Sequence, residues 1–381
     1  MAVWIVEALR TPIATANPST GLYKDLRSDT LAGKVIRSLT HSLNNKVAFA
    51  APDEVVWGVS RQEGEQGYNL ARQASLEGGL SISVPALTIC RNCSSGLDAI
   101  LIGQALIESG RHQVVIAGGV EHMGHVPLQD PQPGPVFLER FGPEALQMVK
   151  CAEHLAKRYG ISRQQQDSWS HLSHLRAVEA VGRGDFQKEI TPIEIPGYID
   201  PATQDQTIRF ASDLEKLSTL QPLDGADGTV TAGNASPVNV GAAGVVLASD
   251  SWVKERGLKP IAKLLDGVAV GLAPLDMGLG PVLAIRALLE HHRMGLDTVR
   301  HIEVNEAFAA QVLAVIGQLQ ADPARVNPLG GAIALGHPLG ASGARLVVTL
   351  AHALSRGNGF GLASLCVGGG QGVAALLASP E

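Results

Sequence analysis

One pattern occurs twice in this chain and constrains its fold more than any other feature. Ser95-Gly96 opens an apolar run, Leu97–Ser109, which leads to a β-like stretch, Gln113–Ala117, and the pair Gly118-Gly119. Ser342-Gly343 lies at the start of a second apolar run, Ala341–Ser355, which leads to Gly361–Val367 and Gly368-Gly369-Gly370. From the serine to the first glycine of the closing group is 23 residues in one copy and 26 in the other. A helix that is apolar nearly all round must be buried. The repetition therefore predicts a duplicated α/β domain whose two copies each bring a helix N-terminus to a shared central site.

The segments around these runs fit that reading. Val3–Val6, Glu54–Val59 and Ala86–Cys90 read as strands, and Arg27–Leu43 and Asn69–Gly78 as helices, so the first 120 or so residues alternate as in an α/β unit around a mostly parallel sheet. The last third repeats the alternation with Pro260–Gly267, Gly280–Gly295 and His301–Val304. Between them the character changes. Pro127, Pro131, Pro133 and Pro135 break the stretch 125–136, and Ser162-Arg163-Gln164-Gln165 is a capping box that opens a long amphipathic helix. Residues 183–232 are polar and turn-rich. The expected organisation is residues 1–121 with 238–258 as one domain, 122–237 as an inserted loop subdomain, and 259–381 as the second domain.

Composition narrows the function. The formal net charge is −6, which leaves no basic footprint for nucleic acid. No apolar run reaches the roughly 18 residues of a membrane span, and the first residues show neither the basic nor the apolar region of a secretion signal. A cytoplasmic location is expected. Glycine is high, 43 of 381, and aromatics are only 4%, so the core must be built from small aliphatic side chains that let backbones approach closely.

Four positions combine a reactive side chain with a strand end or helix start. Cys93 lies between a strand and a buried helix, where free N–H groups and the helix dipole favour a thiolate; the alternative is a buried structural cysteine. His337, held by Gly336 and Pro338, suits a general base on a rigid turn, or is a hydrogen-bonded loop histidine. Cys366 is followed by three glycines whose N–H groups stand clear, as an oxyanion hole requires, or is an ordinary strand cysteine. Asn305 follows the strand His301–Val304 and can orient a water or cap a helix. Cys90-Arg91-Asn92-Cys93 has the spacing of a redox pair or half a zinc site, but no second paired cluster accompanies it.

In these stretches the chain resembles the thiolases, over essentially its full length. The resemblance rests on Arg10-Thr11-Pro12-Ile13, Cys93-Ser94-Ser95-Gly96, Gly118–Met123, Gly228–Ser236, Asn305–Ala310, Gly330–Arg345 with Gly336-His337-Pro338, and Cys366–Gly370, in that order. It implies two duplicated α/β domains in a layered αβαβα arrangement with an inserted loop. It further implies a 3-ketoacyl-CoA thiolase that uses coenzyme A as co-substrate, without a permanently bound cofactor or a metal. Cys93 would be the acylated nucleophile, His337 its base, and Cys366 the acid and base at the α-carbon. Asn305 would hold a water that, with His337 Nε2, binds one thioester oxygen. The N–H groups of Cys93 and Gly368 would form a second oxyanion hole. Arg209 and Ser236 match positions that contact the adenine and pantetheine parts of coenzyme A. A homodimer or homotetramer is implied, and a partner subunit carrying hydratase and dehydrogenase activities is typical of the degradative branch.

Three stretches depart from the family pattern. Gln147–Glu153 replaces the His-Met-Gly loop of acetoacetyl-specific members, Leu329 replaces an Asn before Gly330-Gly331, and Asn239-Val240-Gly241 replaces Asn-Asp-Gly. The first of these, with Glu121–Pro127, points to the degradative, broad chain-length branch. The competing readings are an acetyl-CoA acetyltransferase making acetoacetyl-CoA and a non-catalytic CoA-binding subunit of a multienzyme complex. The second would be expected to have lost Cys93, His337 or Cys366.

Overall fold

A computed structural model describes residues 2–380. The first part of the chain forms β1 (Val3–Arg10), β2 (Ala14–Thr15), α1 (Ser28–Asn44), β3 (Glu54–Gly58), α2 (Leu70–Glu77), β4 (Ala86–Ile89), α3 (Ser95–Glu108) and β5 (Val114–His122). Four helices follow: α4 (Pro135–Phe141), α5 (Met148–Tyr159), α6 (Arg163–Arg183) and α7 (Leu214–Ser218). Then come β6 (Asn239–Ser249), α8 (Asp250–Glu255), β7 (Ala262–Gly271), α9 (Gly280–His291), β8 (Val299–Val304) and α10 (Ala309–Leu319). The chain closes with α11 (Ala332–Leu335), α12 (Leu339–Leu354), β9 (Phe360–Val367) and β10 (Gln371–Ala378).

The strands run in the order β4-β3-β5-β6-β1-β7-β10-β9-β8, with β2 beside β6. The two halves of this path join at β1 and β7, where only Val3–Ile5 pairs with Ala262–Leu264. Because side chains alternate across a strand, each half-sheet feeds two cores. Val55, Trp57 and Ile116 face α1 and α2. Val56, Val115 and Ala117 from one half, and Ala363, Leu365 and Val373 from the other, enclose α3 and α12. Leu362, Ala374 and Leu376 face α9 and α10. The result is helix, half-sheet, helix pair, half-sheet, helix. The two buried helices meet closely where a Cβ at Gly96 would stand 2.7 Å from the Gly340 carbonyl oxygen and one at Gly343 would stand 2.6 Å from the Leu97 nitrogen.

Three expectations need correction. The sheet is mixed rather than mostly parallel: β3 pairs in parallel with β4 and β5, and β8 with β9, but β1, β6, β7 and β10 run antiparallel to their neighbours. The glycine turn after β9 returns the chain directly as β10, and β6 re-enters beside β5 after a long excursion, so neither needs a parallel crossover. Next, Gly118-Gly119 does not end a strand. β5 continues to His122, and the glycines are there because a Cβ at Gly119 would fall 1.9 Å from the Gly340 oxygen. Lastly, the proline-rich stretch gives way to α4 already at Pro135, which takes the first helical position, where its missing N–H is harmless.

Between β5 and β6 the chain adds no strand to the sheet among the described residues. It is fastened by a buried ionic cluster at the end of β1. Arg10, fully buried, donates from Nε to Glu189 (2.6 Å) and from both terminal nitrogens to Asp205 (2.7 and 2.9 Å). No helix among the described residues is long and apolar enough to cross a membrane.

Candidate active site

The close crossing of α3 and α12 sets the two helix starts side by side, and the candidate reactive residues stand at those starts and at the neighbouring strand ends. Cys93 occupies a single 3-10 turn, Asn92–Ser94, between β4 and α3. Asn92 takes a left-handed φ of 45° and donates from Nδ2 to the Gly368 carbonyl oxygen at 3.0 Å, which clamps the Cys93 turn to the turn after β9. The main-chain N–H groups of Gly368 and of Cys93 itself favour the thiolate, but burial outweighs them and pushes the Cys93 thiol up to about 11. The expectation that a helix N-terminus lowers this thiol is therefore reversed: the resting sulfur is protonated because removing it from solvent costs more than two N–H donors return. Cys93 nonetheless keeps part of its surface open.

His337 sits between α11 and α12, after Gly336, whose φ of +106° lies in the left-handed region. Its N–H donates to Asn239 Oδ1 at 2.8 Å, and Asn239 Nδ2 in turn donates to the Ala14 carbonyl at 3.0 Å. The His337 Nδ1 to Ser342 Oγ distance is 2.6 Å, and Ser342 Oγ donates its proton to the Pro338 carbonyl at 2.8 Å. A hydroxyl has one proton, so here it accepts from Nδ1–H. This chain assigns the imidazole proton to Nδ1 and leaves Nε2 as a bare acceptor. Asn305 Nδ2 lies 3.3 Å from that nitrogen. Burial, with Arg345 as a second cause, pushes the imidazole down to about 3, so the ring is neutral.

Asn305 follows β8, and its N–H donates to the Ser364 carbonyl at 2.9 Å, two residues before Cys366 on β9. Its Oδ1 is buried and accepts from no protein group. Cys366 is buried at the end of β9; burial first, then the neighbouring Cys93, pushes its thiol far above the ordinary range. Gly369 and Gly370 turn the chain at φ of +93° and +87°, which exposes the Gly368 N–H. A Cβ at Gly368 would stand 3.4 Å from Met148 Sδ, so the first residue of α5 overhangs this turn. All four cysteines are free.

Ser236 is held beside the Asn305 loop, its N–H donating to the Ala307 carbonyl at 3.0 Å. Arg209 is exposed, and its N–H donates to His174 Nδ1 at 3.2 Å. Arg209, His174, Ala235 and Pro237 border a cavity of about 170 Å³; Ser236 itself is not among its lining residues, but its two chain neighbours are. A larger cavity of about 620 Å³ lies behind α5, among Lys150, Glu153, Lys157 and Thr229. It is lined by none of Cys93, Arg209, Ser236, Asn305, His337, Cys366 or Gly368, and its size does not make it the reactive centre.

Two buried carboxylates fix this arrangement and escaped the reading of the sequence. Glu121 accepts from the N–H groups of Ser60 (2.8 Å), Arg61 (3.2 Å) and Gly340 (2.9 Å) and from Gln66 Nε2 (2.7 Å), so it ties the end of β5 to the first turn of α12. Glu306 accepts from Trp169 Nε1 (3.0 Å), Ser173 Oγ (2.8 Å), Asn327 Nδ2 (2.8 Å) and the Ile333 N–H (3.2 Å), and ties α6 to the loop before α11. In the sequence Ser342 stands out only as a marker of the repeat. Both glutamates lie inside motifs that were recognised, but only the folded geometry shows four donors converging on each.

Residues 3–251 match the family model described as the thiolase N-terminal domain, and residues 258–379 match the thiolase C-terminal domain. The chain belongs to the thiolase family. It is 43% identical to the beta-ketoadipyl-CoA thiolase of Pseudomonas knackmussii, with 98% of each chain covered, and 40% identical to the 3-ketoacyl-CoA thiolase of Escherichia coli, again with 98% of each covered. The crystal structure of the Bacillus anthracis acetyl-CoA acetyltransferase superposes with a TM-score of 0.89 at 38% identity, covering 99% of this chain and 98% of that one. This thiolase is accordingly an acyltransferase that works on coenzyme A thioesters, and its fold is the thiolase fold.

Proposed function

We propose that this thiolase runs in the degradative direction on 3-ketoacyl-CoA, with Cys93 as the group that carries the acyl chain. The observation that supports this most is a neutral imidazole whose Nε2 carries no proton and can accept one, at the start of the helix against which the Cys93 turn packs. In the first half-reaction His337 Nε2 takes the Cys93 proton and the sulfur attacks C3 of the substrate. The N–H groups of Gly368 and Cys93 hold the C3 oxyanion. The C2–C3 bond then breaks; its electron pair forms the enolate of acetyl-CoA, which Nε2–H and a water on Asn305 stabilise, and Cys366 protonates C2. In the second half-reaction the Cys366 thiolate takes the proton of the incoming coenzyme A thiol, whose sulfur attacks the acyl-Cys93 carbonyl. Cys93 leaves and recovers its proton from His337. The balance is 3-ketoacyl-CoA plus CoA to acetyl-CoA plus the shortened acyl-CoA.

The wall around Cys366 is apolar, with Met277 and Phe308 buried and Met148, Val149 and Leu275 packed against them. This supports an acyl chain longer than acetyl, and with it a role in fatty acid β-oxidation. Acetoacetyl-CoA synthesis is the second reading, favoured by the likeness to the Bacillus anthracis acetyltransferase. A thiolysis series with 3-ketoacyl-CoA substrates of increasing length separates the two: activity across several lengths supports the first, activity confined to acetoacetyl-CoA the second.

A homodimer or homotetramer is part of the proposal. β4 is an edge strand with Leu87 41% exposed, and unpaired edges of this kind are usually covered. Light scattering of the purified protein tests it. The four free thiols fit the reducing cytoplasm.

A further inference from the structure

A second concave site lies at the far end of α12 from His337, about 22 Å along the helix at 1.5 Å per residue. The cavity measures about 280 Å³ and is bordered by Arg183, the last residue of α6, and Asp185 just beyond it, Arg300 and His301 at the start of β8, Arg356 after α12, and Leu329. Its charges do not balance. Asp185 alone serves two guanidinium groups, accepting from Arg183 Nε at 2.9 Å and from Arg356 Nη1 at 2.7 Å. Glu179 lies 3.7 Å from Arg183 at the rim. Arg300 has no carboxylate within ion-pair distance among the described residues, and its one hydrogen bond is a long one, 3.4 Å from Nη1 to the Asn358 carbonyl. The half-buried His301 ring has no hydrogen-bond partner among the described residues, and burial together with Arg300 and Arg356 holds it below the usual histidine range. The lining also holds the apolar Pro328, Ala353, Leu354 and Leu329, the last being one of the positions at which the chain departs from the thiolase pattern by replacing an asparagine.

Three guanidinium groups with one lining carboxylate between them, one of the three without a carboxylate partner among the described residues, beside apolar side chains recognise an oxyanion joined to an apolar or planar group. We propose that this cavity binds a small phosphate monoester, with Arg300 and Arg356 on the phosphate, His301 as a further donor, and the rest of the ligand against Leu329. Guanidinium forks match phosphate in a bidentate manner that lysine does not, and an arginine without a carboxylate partner is the group that an incoming anion meets first. The site stands on the same two elements, β8 and α12, whose other ends carry Asn305 and Ser342, and it shares no residue with the catalytic centre.

The test is calorimetric titration of the intact protein with AMP, and with inorganic phosphate as competitor, on wild type, Arg300→Glu and Arg209→Glu. The expected result is one saturable AMP site per chain that phosphate displaces and added salt weakens. Arg300→Glu should lower its affinity at least about tenfold, and Arg209→Glu should leave it unchanged. Absence of saturable binding at millimolar AMP overturns the proposal, as does binding that ignores Arg300→Glu. Binding lost in Arg209→Glu instead would place the ligand in the coenzyme A region and equally overturn it. Arg300 is exposed, so the variant should melt as wild type does; if it does not, Arg300→Gln is measured against the same criteria.

Discussion

The two copies of the repeat match at one glycine position and diverge at another. Gly96 and Gly343 do the same thing from opposite sides, each clearing space for the other copy's helix. Gly119 and Gly369 occupy matched places after their serines but act differently. A Cβ at Gly119 would collide with the Gly340 oxygen at 1.9 Å inside a continuing strand, whereas Gly369 has nothing within 4 Å and is needed for its φ of +93°. In the first copy the glycine pair makes room for the start of α12. In the second it turns the chain and exposes the Gly368 N–H. Duplication has kept the packing of the crossing helices while dividing the candidate reactive groups unequally: Cys93 comes from one copy, and Asn305, His337, Cys366 and Gly368 come from the other.

Breaking that division has the largest expected effect. Cys93→Ala should lower thiolysis by on the order of 10⁴-fold or more with an unchanged melting curve; a rate near wild type would remove the nucleophile assignment. In the companion variant Cys366→Ala, mass spectrometry should still find the acyl group on Cys93, while exchange of the α-proton stops. The next largest effect separates the two glycines. Gly119→Ala should cost roughly 3 kcal/mol or prevent folding, because backbone faces backbone, and Gly369→Ala about 1 kcal/mol from its left-handed backbone alone. Equal losses in denaturant titrations would show that the matched positions do the same work after all.

A smaller change tests the hydroxyl that orients His337. Ser342→Ala should lower kcat by roughly tenfold while leaving the KM for coenzyme A nearly unchanged, because general-base efficiency falls when the wrong tautomer is populated. Ser342→Thr should restore most of it. The same loss in both variants would make the serine a packing residue only. The smallest effect is on stability against pH. Folding holds His337 at about 3 and His174 at about 4, against an ordinary value of 6.5. Between pH 6.5 and these values the unfolded chain binds protons that the folded chain refuses, so stability falls as the pH falls through that window. His174→Gln should flatten the slope of melting temperature against pH between about 6.5 and 4. An unchanged slope would mean that other groups carry it.

Much of this was legible in the residue order. The helices around Leu97 and Leu346 are mostly apolar, with few polar side chains on any face, and a helix of that kind has nowhere to go but the middle of the molecule. Strand ends and helix starts placed Cys93, His337, Asn305 and Cys366 at points where a chain exposes side chains and N–H groups. The ionisation of Cys93 was not legible. Its local setting favours the thiolate, but the burial that opposes it comes from residues hundreds of positions away. The direction of the strands was not legible either, since a strand reads alike whichever way its neighbour runs. Glu121 and Glu306 stayed hidden because each gathers donors from separate elements.

By itself the sequence determined the two-copy architecture and the burial of the central helices, and it singled out the candidate reactive side chains, because periodicity, glycine and proline act locally. The tertiary structure alone decided which of those side chains meet, which nitrogen of His337 is bare, and that Cys93 rests as a thiol. Those outcomes depend on desolvation and on hydrogen bonds between elements far apart in the chain, such as Asn92 with Gly368, Asn305 with His337, and Glu121 with Gly340.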